Sequence, residues 1–488
     1  MRRFKAAMQR SQMAMLLAAL SGSALFSNLL GQPCCGQENE TGMGVGFAHV
    51  EITPDVKNHD VWMAGYAPGR KATSVHDPLF ARTVVLHGPT KRIAIVSLDL
   101  VGFQLPDVQT IRSELPDYDH VLVTSTHNHE GPDVIGIWGR TPFHGGKDPA
   151  YIRTICQRVV QTVRTAEKQV RQVVSRFGVA ESEALIRDSR KPIVKDAKLR
   201  LLQFIDSKDQ QNIGVLVQWN CHPEAMGSRN RAITADFPAT TIKVLQKRLK
   251  CPVVYISGAV GGLLAPPSEG VTSKDGTRLA TGDWAFAERY GQMVADLAEK
   301  AVKSTVPVRM TPIGVSSKQV SIPVVNPWYR VARLTGVVKR PGYQWTGDPY
   351  QFGANVRLGD FFRRTAIVTE VNYIRCGEMH LVGVPGELYP ELVYGGVPDP
   401  AEAGADYPKA DVEPIVMDLV PDERSMIVGL ANDEIGYIIP KRQWDQRSPF
   451  AYDRRRSQYG EINSCGPDTA RFIMNGLREA VLAMPKEK

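Results

Sequence analysis

His120-Val121-Leu122-Val123-Thr124 runs without a break into Ser125-Thr126-His127-Asn128-His129-Glu130-Gly131-Pro132. The first part is short, apolar and partly β-branched, the pattern of a buried strand. The second is polar and carries two histidines. The same succession recurs along the chain. Ile213–Val217 leads into Asn220-Cys221-His222-Pro223-Glu224, Met379–Val384 into Pro385-Gly386-Glu387, and Met426–Leu430 into Asn432-Asp433-Glu434-Ile435-Gly436-Tyr437. Arg92–Leu98 and Val253–Ile256 read as further strands. Helical spacing of apolar residues predicts helices over 150–170, 240–249, 285–302 and 467–484. Buried strands alternating with helices give an α/β fold class, a mixed β-sheet covered by helices on both faces in a single large domain, 45–488. Its site is expected beyond strand ends, where side chains from several strands converge.

Working outward, residues 1–33 read as a signal peptide and leader. Arg2, Arg3, Lys5 and Arg10 precede an apolar run, Met13–Leu30, that Ser21, Gly22, Ser23, Ser27 and Asn28 interrupt. A membrane span needs roughly 20 unbroken apolar residues, so export with cleavage is expected ahead of an uncleaved anchor. Residues 34–44, with Cys34 and Cys35, read as a disordered linker. The formal net charge is +8, but four of its basic residues and no acidic ones lie in 1–31, leaving +4. That excludes a nucleic-acid track, while a weak attraction to anionic surfaces, and so peripheral membrane contact, stays open. The remaining cysteines, at 156, 221, 251, 376 and 465, are scattered and describe no disulfide framework; mostly buried thiols are expected. The aromatic, Pro- and Gly-rich segment 305–365 reads as a lid, a pocket wall or an ordinary surface excursion. No protein partner is predicted.

Each polar cluster also has a bland reading: histidines packed in a turn, a lone structural histidine, a surface turn. Their shared position carries the chemistry. Residues i and i+2 of an extended segment point to one side, which would pair His127 with His129. Imidazole is a common zinc ligand, and a catalytic zinc commonly takes two histidines and a carboxylate, leaving a position open for water. His127, His222 and Glu387 supply that set. In the fourth cluster residue type alone favours Asp433 or Glu434. Gly42-Met43-Gly44-Val45-Gly46 lacks dinucleotide-binding spacing, and no GxSxG, phosphate loop or HExxH occurs.

Taken in order, the clusters resemble the neutral (non-lysosomal) ceramidases, from about Val45 to the C-terminal helix. Gly46-Phe47-Ala48-His49-Val50-Glu51-Ile52-Thr53-Pro54, Met63-Ala64-Gly65-Tyr66-Ala67 and His76-Asp77-Pro78-Leu79-Phe80-Ala81-Arg82 are similar to that family's opening segments. Ser125–Pro132 is similar to its STHxHSGP motif, with Glu130 at the usual serine. The resemblance implies a zinc site of His127, His222, Glu387 and Tyr437. It also implies a catalytic role for Tyr437, for His129 beside the metal but not bound to it, and for a substrate-facing arginine, Arg190, with Arg187 nearby. It implies a small-molecule or lipid N-acyl amide as substrate.

Two departures matter. The family's AGxxSPN loop corresponds to Gly258–Pro267, where Leu264 or Ala265 falls at the serine position; Ser257 is a possible stand-in. The chain also ends before the immunoglobulin-like domain that characterised ceramidases add. Without the serine, the expected chemistry is attack on an amide carbonyl by zinc-activated water. The alternatives are a zinc hydrolase of another amide or ester, and a non-catalytic binding protein.

Overall fold

The computed structural model describes residues 42–356 and 364–485. The predicted leader, and the predicted linker up to residue 41, lie outside the described residues. The first strand, β1 (Met43–Glu51), starts two residues ahead of the Val45 read from the sequence. It joins β2 (Phe80–His87), β3 (Arg92–Leu98), β4 (His120–Ser125), β5 (Arg171–Glu181), β6 (Lys198–Asp206), β7 (Asn212–Trp219) and β8 (Val253–Ser257). The strand order is β8-β7-β6-β5-β1-β2-β3-β4, with Val306–Pro307 added beside β5. The outermost pairs, β7/β8 and β3/β4, are parallel. The inner pairs are antiparallel.

Alternation along the strands decides what covers each face. Ala94, Val96, Val121 and Val123 pack with α1 (Leu105–Ser113) and α2 (Pro149–Glu167). Leu201, Val215, Val217 and Tyr255 pack with α3 (Phe237–Leu249) and α4 (Trp284–Lys303). The intervening residues Ile93, Ile95 and Leu122 face the other way, onto Ile374, Leu381, Met426 and Val428 of a second sheet. That sheet runs β9 (Ile313–Pro323), β10 (Thr365–Cys376), β11 (Met379–Gly383) and β12 (Ser425–Val428) in order, with β11/β12 parallel. Its outer residues Val371, Tyr373 and Val382 pack with a C-terminal helix, Thr469–Leu482. The α/β fold with a mixed sheet is therefore as the sequence indicates, but built in four layers: helices, sheet, sheet, helix. The sequence leads one to expect helices on both faces; one face is instead covered by a second sheet, whose strands β9 and β10 periodicity does not reveal. The five cysteines among the described residues are free and buried, and no helix there is long and apolar enough to cross a membrane.

Twist accumulated over the large sheet brings its edge strands β4 and β8 back towards each other, with β12 between their ends. Ser97 Oγ donates to the Tyr255 carbonyl at 2.5 Å, and Ser257 Oγ to the Thr126 carbonyl at 2.7 Å. Gly429 N donates to Ser257 O at 2.9 Å, and Thr124 Oγ1 to Gly429 O at 2.7 Å. Asn432 completes the knot. Its backbone N–H donates to Val123 O at 2.6 Å, and its Oδ1 accepts from Val123 N at 2.7 Å. Its Nδ2 donates to Glu370 Oε1 at 2.8 Å. Asn432 is wholly buried with φ of +62°, a conformation asparagine tolerates better than most residues. Asn432→Ala leaves Val123 N–H without its partner, takes one of two donors from Glu370 Oε1, which Arg112 still binds, and puts a Cβ-only side chain in the left-handed region. We expect a loss of about 2–4 kcal/mol of unfolding free energy, read by urea denaturation; an unchanged midpoint would refute the clamp.

Candidate metal centre

His127 follows β4 not in extended backbone but at φ of +63°. The i, i+2 argument from an extended strand therefore does not apply. The two imidazoles converge because the chain turns sharply, and the left-handed residue is itself a sign of a site held under constraint. His127 Nδ1 lies 2.7 Å from the Val101 carbonyl, and His222 Nδ1 lies 2.7 Å from the Leu264 carbonyl. A carbonyl only accepts, so each Nδ1 carries a proton, and it is Nε2 of each ring that turns inward, where a neutral imidazole has its bare lone pair. Glu387 Oε2 sits 2.9 Å from His222 Nε2 and 3.3 Å from His127 Nε2. Acceptors this close repel unless a positive charge lies among them. Without a metal ion, that charge is a proton. Burial opposes ionisation of Glu387, but the charges and hydrogen bonds of His127 and His222 outweigh it and hold the carboxyl far below its ordinary range. Burial likewise lowers His222, yet Glu387 wins and its pKa rises. A divalent cation fits the same donors.

His129 stands as close as the predicted ligands do. Its Nε2 is 3.2 Å from His127 Nε2, and ligand atoms of His127, His129 and His222 lie within 4.8 Å of one another. Geometry therefore does not separate His129 from the ligand set. Its Nδ1 has no hydrogen-bond partner and points towards Glu224 Oε2, 3.9 Å away. Burial first, then the neighbouring imidazoles, holds its pKa well below the usual range, so the ring is neutral. The turn is anchored from beneath. Arg70 donates to the carbonyls of His129 and Ala64 and pairs with Glu130 at 3.2 Å. Burial pushes the Glu130 carboxyl to about 8 despite Arg70. Sequence reasoning singled out neither Arg70 nor Glu224. Glu224 was in plain view two residues after His222, but its partner is 95 residues away in sequence.

Glu387 and Tyr437 face each other in a two-residue parallel bridge. A Cβ on Gly386 would stand 2.4 Å from the Gly436 carbonyl, so the approach of the two loops requires glycine there. The Tyr437 ring packs edge-on against Tyr389 and Tyr459. Burial, reinforced by Glu387, raises its pKa and keeps the phenol protonated. The residues favoured by type alone go elsewhere. Asp433 takes a two-pronged ion pair from Arg340 at 2.8 and 3.1 Å. Glu434 accepts from Gly436 N at 2.6 Å and lines the pocket.

Arg190 is not brought to this cluster. It is 1% exposed, and its guanidinium grips Glu461 at 2.7 and 3.0 Å and the carbonyls of Tyr459 and Gln443. All its polar reach but Nε is occupied, and it does not line the pocket. Arg187 donates to the Pro266 carbonyl at 3.1 Å. Leu264 and Ala265 are buried in a short strand beside Arg187–Asp188. Ser257 is buried, donates its hydroxyl to Thr126 O at 2.7 Å and does not line the pocket. The pocket over the cluster has a volume of about 1200 Å³ including its open mouth, with His127, His129, Glu387 and Tyr437 on its floor. Ile135, Ile137 and Trp138 form one wall; Val324, Leu334 and Val338 form another. Segment 305–365 is therefore in part a pocket wall.

No protein-family model matches the chain, and no curated protein matches it by sequence. Solved structures do. The fold is similar to that of the neutral ceramidase from Pseudomonas aeruginosa, with a TM-score of 0.65 at 14% identity, covering 91% of this chain and 74% of that one. It is also similar to a ceramidase complexed with C2, with a TM-score of 0.63 at 15% identity, covering 91% and 75%. The chain has the fold of these ceramidases.

Arg190 acts here as half of a buried ion pair. Arg190→Met strands the Glu461 carboxylate, which is 1% exposed. Breaking such a pair costs about 3–5 kcal/mol. We expect a loss of that size in denaturant melts, recovered in part by Arg190→Met with Glu461→Leu. An unchanged melt for the single variant would restore Arg190 to the candidates for substrate contact.

Proposed function

We propose that this chain is a zinc-dependent hydrolase that cleaves an N-acyl amide bond, of ceramide or a related N-acyl lipid, with water as nucleophile. The observation that carries this reading is the convergence of the Nε2 atoms of His127 and His222 on one carboxylate oxygen of Glu387, at a pocket that His127 and Glu387 line. His127, His222 and Glu387 would hold the ion, and Tyr437, beside Glu387, would complete the set. The likeness in fold to ceramidases supports the amide as the bond cleaved. Zinc, when bound, supplies Lewis acidity, polarising a carbonyl and acidifying water.

The chain's own residues do the rest. His129 is neutral and adjoins the cluster, so its Nε2 can take a proton from the attacking water and return it to the leaving nitrogen. Its Nδ1–H then turns to Glu224, whose carboxylate steadies the charged ring. Arg70 fixes the backbone under His129 and so the direction of the ring. Tyr437, protonated, has an O–H to offer a developing oxyanion. The apolar walls take an acyl chain and exclude water from it. Leu264, Ala265 and Ser257 offer no free hydroxyl, which favours direct hydrolysis over an acyl-serine intermediate. Export by the leader expected from the sequence would put this activity outside the cytoplasm.

Elemental analysis of the purified protein should find close to one zinc per chain. His127→Ala and His222→Ala should each weaken zinc binding by more than about a hundredfold, beyond what an outer partner contributes. A screen of acyl amides including ceramide should find turnover that a chelator abolishes and zinc restores. Absence of stoichiometric zinc from the unmutated protein sinks the hydrolase. Zinc without turnover on any acyl amide or ester leaves a binding protein. In a zinc-loaded active enzyme, Glu224→Gln should lower kcat by roughly 10–100-fold with zinc content unchanged; an unaltered kcat removes Glu224 from the proton path.

A further inference from the structure

Arg333 and Arg340 line the same pocket as His127 and Glu387, and each keeps one buried donor without a partner. Arg333 belongs to the helix α5 (Pro327–Leu334). Its Nη2 donates to the Val356 carbonyl at 2.7 Å, while its Nε is buried and donates to nothing. Among the described residues its guanidinium meets a carbonyl and no carboxylate. Gly342 makes room for it, since a Cβ there would stand 2.0 Å from Cζ of Arg333. Arg340 is better paired. Its side chain is 6% exposed, and its Nη atoms donate to Asp433 at 2.8 and 3.1 Å and to the Val368 carbonyl at 3.1 Å. Its Nε is nevertheless buried without a partner. Burial, and after it the charge of Arg340, lowers the pKa of Arg333, so the two guanidinium groups stand close enough to repel. Burying like charges together is costly, and leaving their N–H groups unmet adds to the cost. Asp433 offsets Arg340; no described carboxylate offsets Arg333.

We propose that Arg333 and Arg340 form an anion subsite, and that the substrate is an acyl amide whose amine half carries a carboxylate or sulfonate, as in an N-acyl amino acid. An anion with two or more oxygens supplies both the charge and the acceptors that the pair lacks, because the planar guanidinium fork fits such groups. A neutral hydroxyl supplies no charge. The amine half is the one assigned because Ile135, Ile137, Trp138 and Val324, elsewhere in the lining, suit an uncharged acyl chain. Among N-acyl lipids the subsite therefore favours an acidic one over ceramide, which is uncharged. Hydrolysis adds water across the C–N bond, hydroxyl to the acyl carbon and proton to the nitrogen, and releases a fatty acid and an acidic amine. For that reaction the inference rests on the proposed hydrolase; the anion subsite itself does not.

Two measurements on the full chain test this. The first needs no turnover: calorimetric titration with octanesulfonate and with octanol, its uncharged counterpart. We expect the sulfonate to bind about tenfold tighter or more, and Arg333→Met to remove that preference. Arg333→Lys keeps the charge but not the fork, so it should retain part of the preference; it carries the test should Arg333→Met fail to fold. Equal binding of the two probes, or a preference that survives Arg333→Met, overturns the subsite; the latter is the result for a sulfonate held by the metal centre alone. The second compares kcat/KM for N-lauroylglycine, N-lauroylethanolamine and the mono-ethanolamide of dodecanedioic acid, which carries its acid on the acyl half. The glycine conjugate should lead the lauroyl ethanolamide by about tenfold or more, and Arg333→Met should shrink that lead by about tenfold. Equal values for the three, or a lead for the dodecanedioic amide, overturns the assignment of the acidic group to the amine half. A preference for octanesulfonate without turnover of any amide leaves the subsite standing and removes the hydrolase; turnover of the ethanolamide without any anion preference does the reverse.

Discussion

The Nδ1–H of His127 donates to the Val101 carbonyl and that of His222 to the Leu264 carbonyl, and the chemistry of the site depends on these two bonds. A histidine with both nitrogens free can turn either one towards a neighbour, so its value as a ligand is undefined. Once a backbone carbonyl takes Nδ1–H, the tautomer and ring plane are set and Nε2 becomes a fixed base. Two such bases then face one Glu387 carboxylate oxygen at 2.9 and 3.3 Å. That arrangement is stable only around a positive charge. Everything else near the pocket floor either aims these groups or keeps water away from them.

The aiming is done by backbone, and it has an energetic cost. His127 occupies left-handed backbone space, which costs roughly 1–2 kcal/mol for a residue with a Cβ. The surrounding hydrogen bonds over-determine it: Thr126 and Asn128 backbone N–H groups bind the Leu98 and Leu100 carbonyls at 2.8 and 2.9 Å, and Arg70 holds His129 from below. On the opposite side Asn432 ties the Tyr437 loop to β4. The two sheets meet through their strand ends, so a shift in the β12 loop would move Tyr437 and the β4 turn together. The site is therefore no surface accessory; its geometry is fixed by the same contacts that join the layers.

This explains what the sequence disclosed and what it withheld. Strands 92–98, 120–125, 212–219 and 253–257 are apolar almost throughout, because both of their faces are covered, and they are legible from composition. The strand Thr365–Cys376 is not, since Glu370, Asn372 and Arg375 interrupt it. Glu370 is tolerated there because Arg112 and Asn432, distant in sequence, satisfy its carboxylate. Arg171–Glu181 and Lys198–Asp206 carry charge in the same way. At the site, His127, His222 and Glu387 were legible as donors at strand ends. Tyr437 was not, because a short parallel backbone bridge to Glu387, and not its residue type, brings it there. Arg190, expected to face the substrate, is held by a partner 271 residues away, Glu461, that the sequence does not disclose.

The loop from 258 to 267 sharpens the point about backbone. Where the ceramidase resemblance expects a serine, this chain has Leu264 and Ala265, and both side chains are buried away from the pocket. Yet the loop has not lost its hold on the cluster, for the carbonyl of Leu264 is the very group that orders His222, and it also accepts the His222 backbone N–H at 3.0 Å. Any residue at that position supplies a carbonyl; only a serine would supply a hydroxyl. Two functions of one loop, aiming a histidine and offering a nucleophile, are thus carried by different atoms. Substitution at 264 can therefore remove the second while leaving the first intact. That separation is how a chain without the serine still builds a site suited to a metal ion, and why the proposed reaction would run through water.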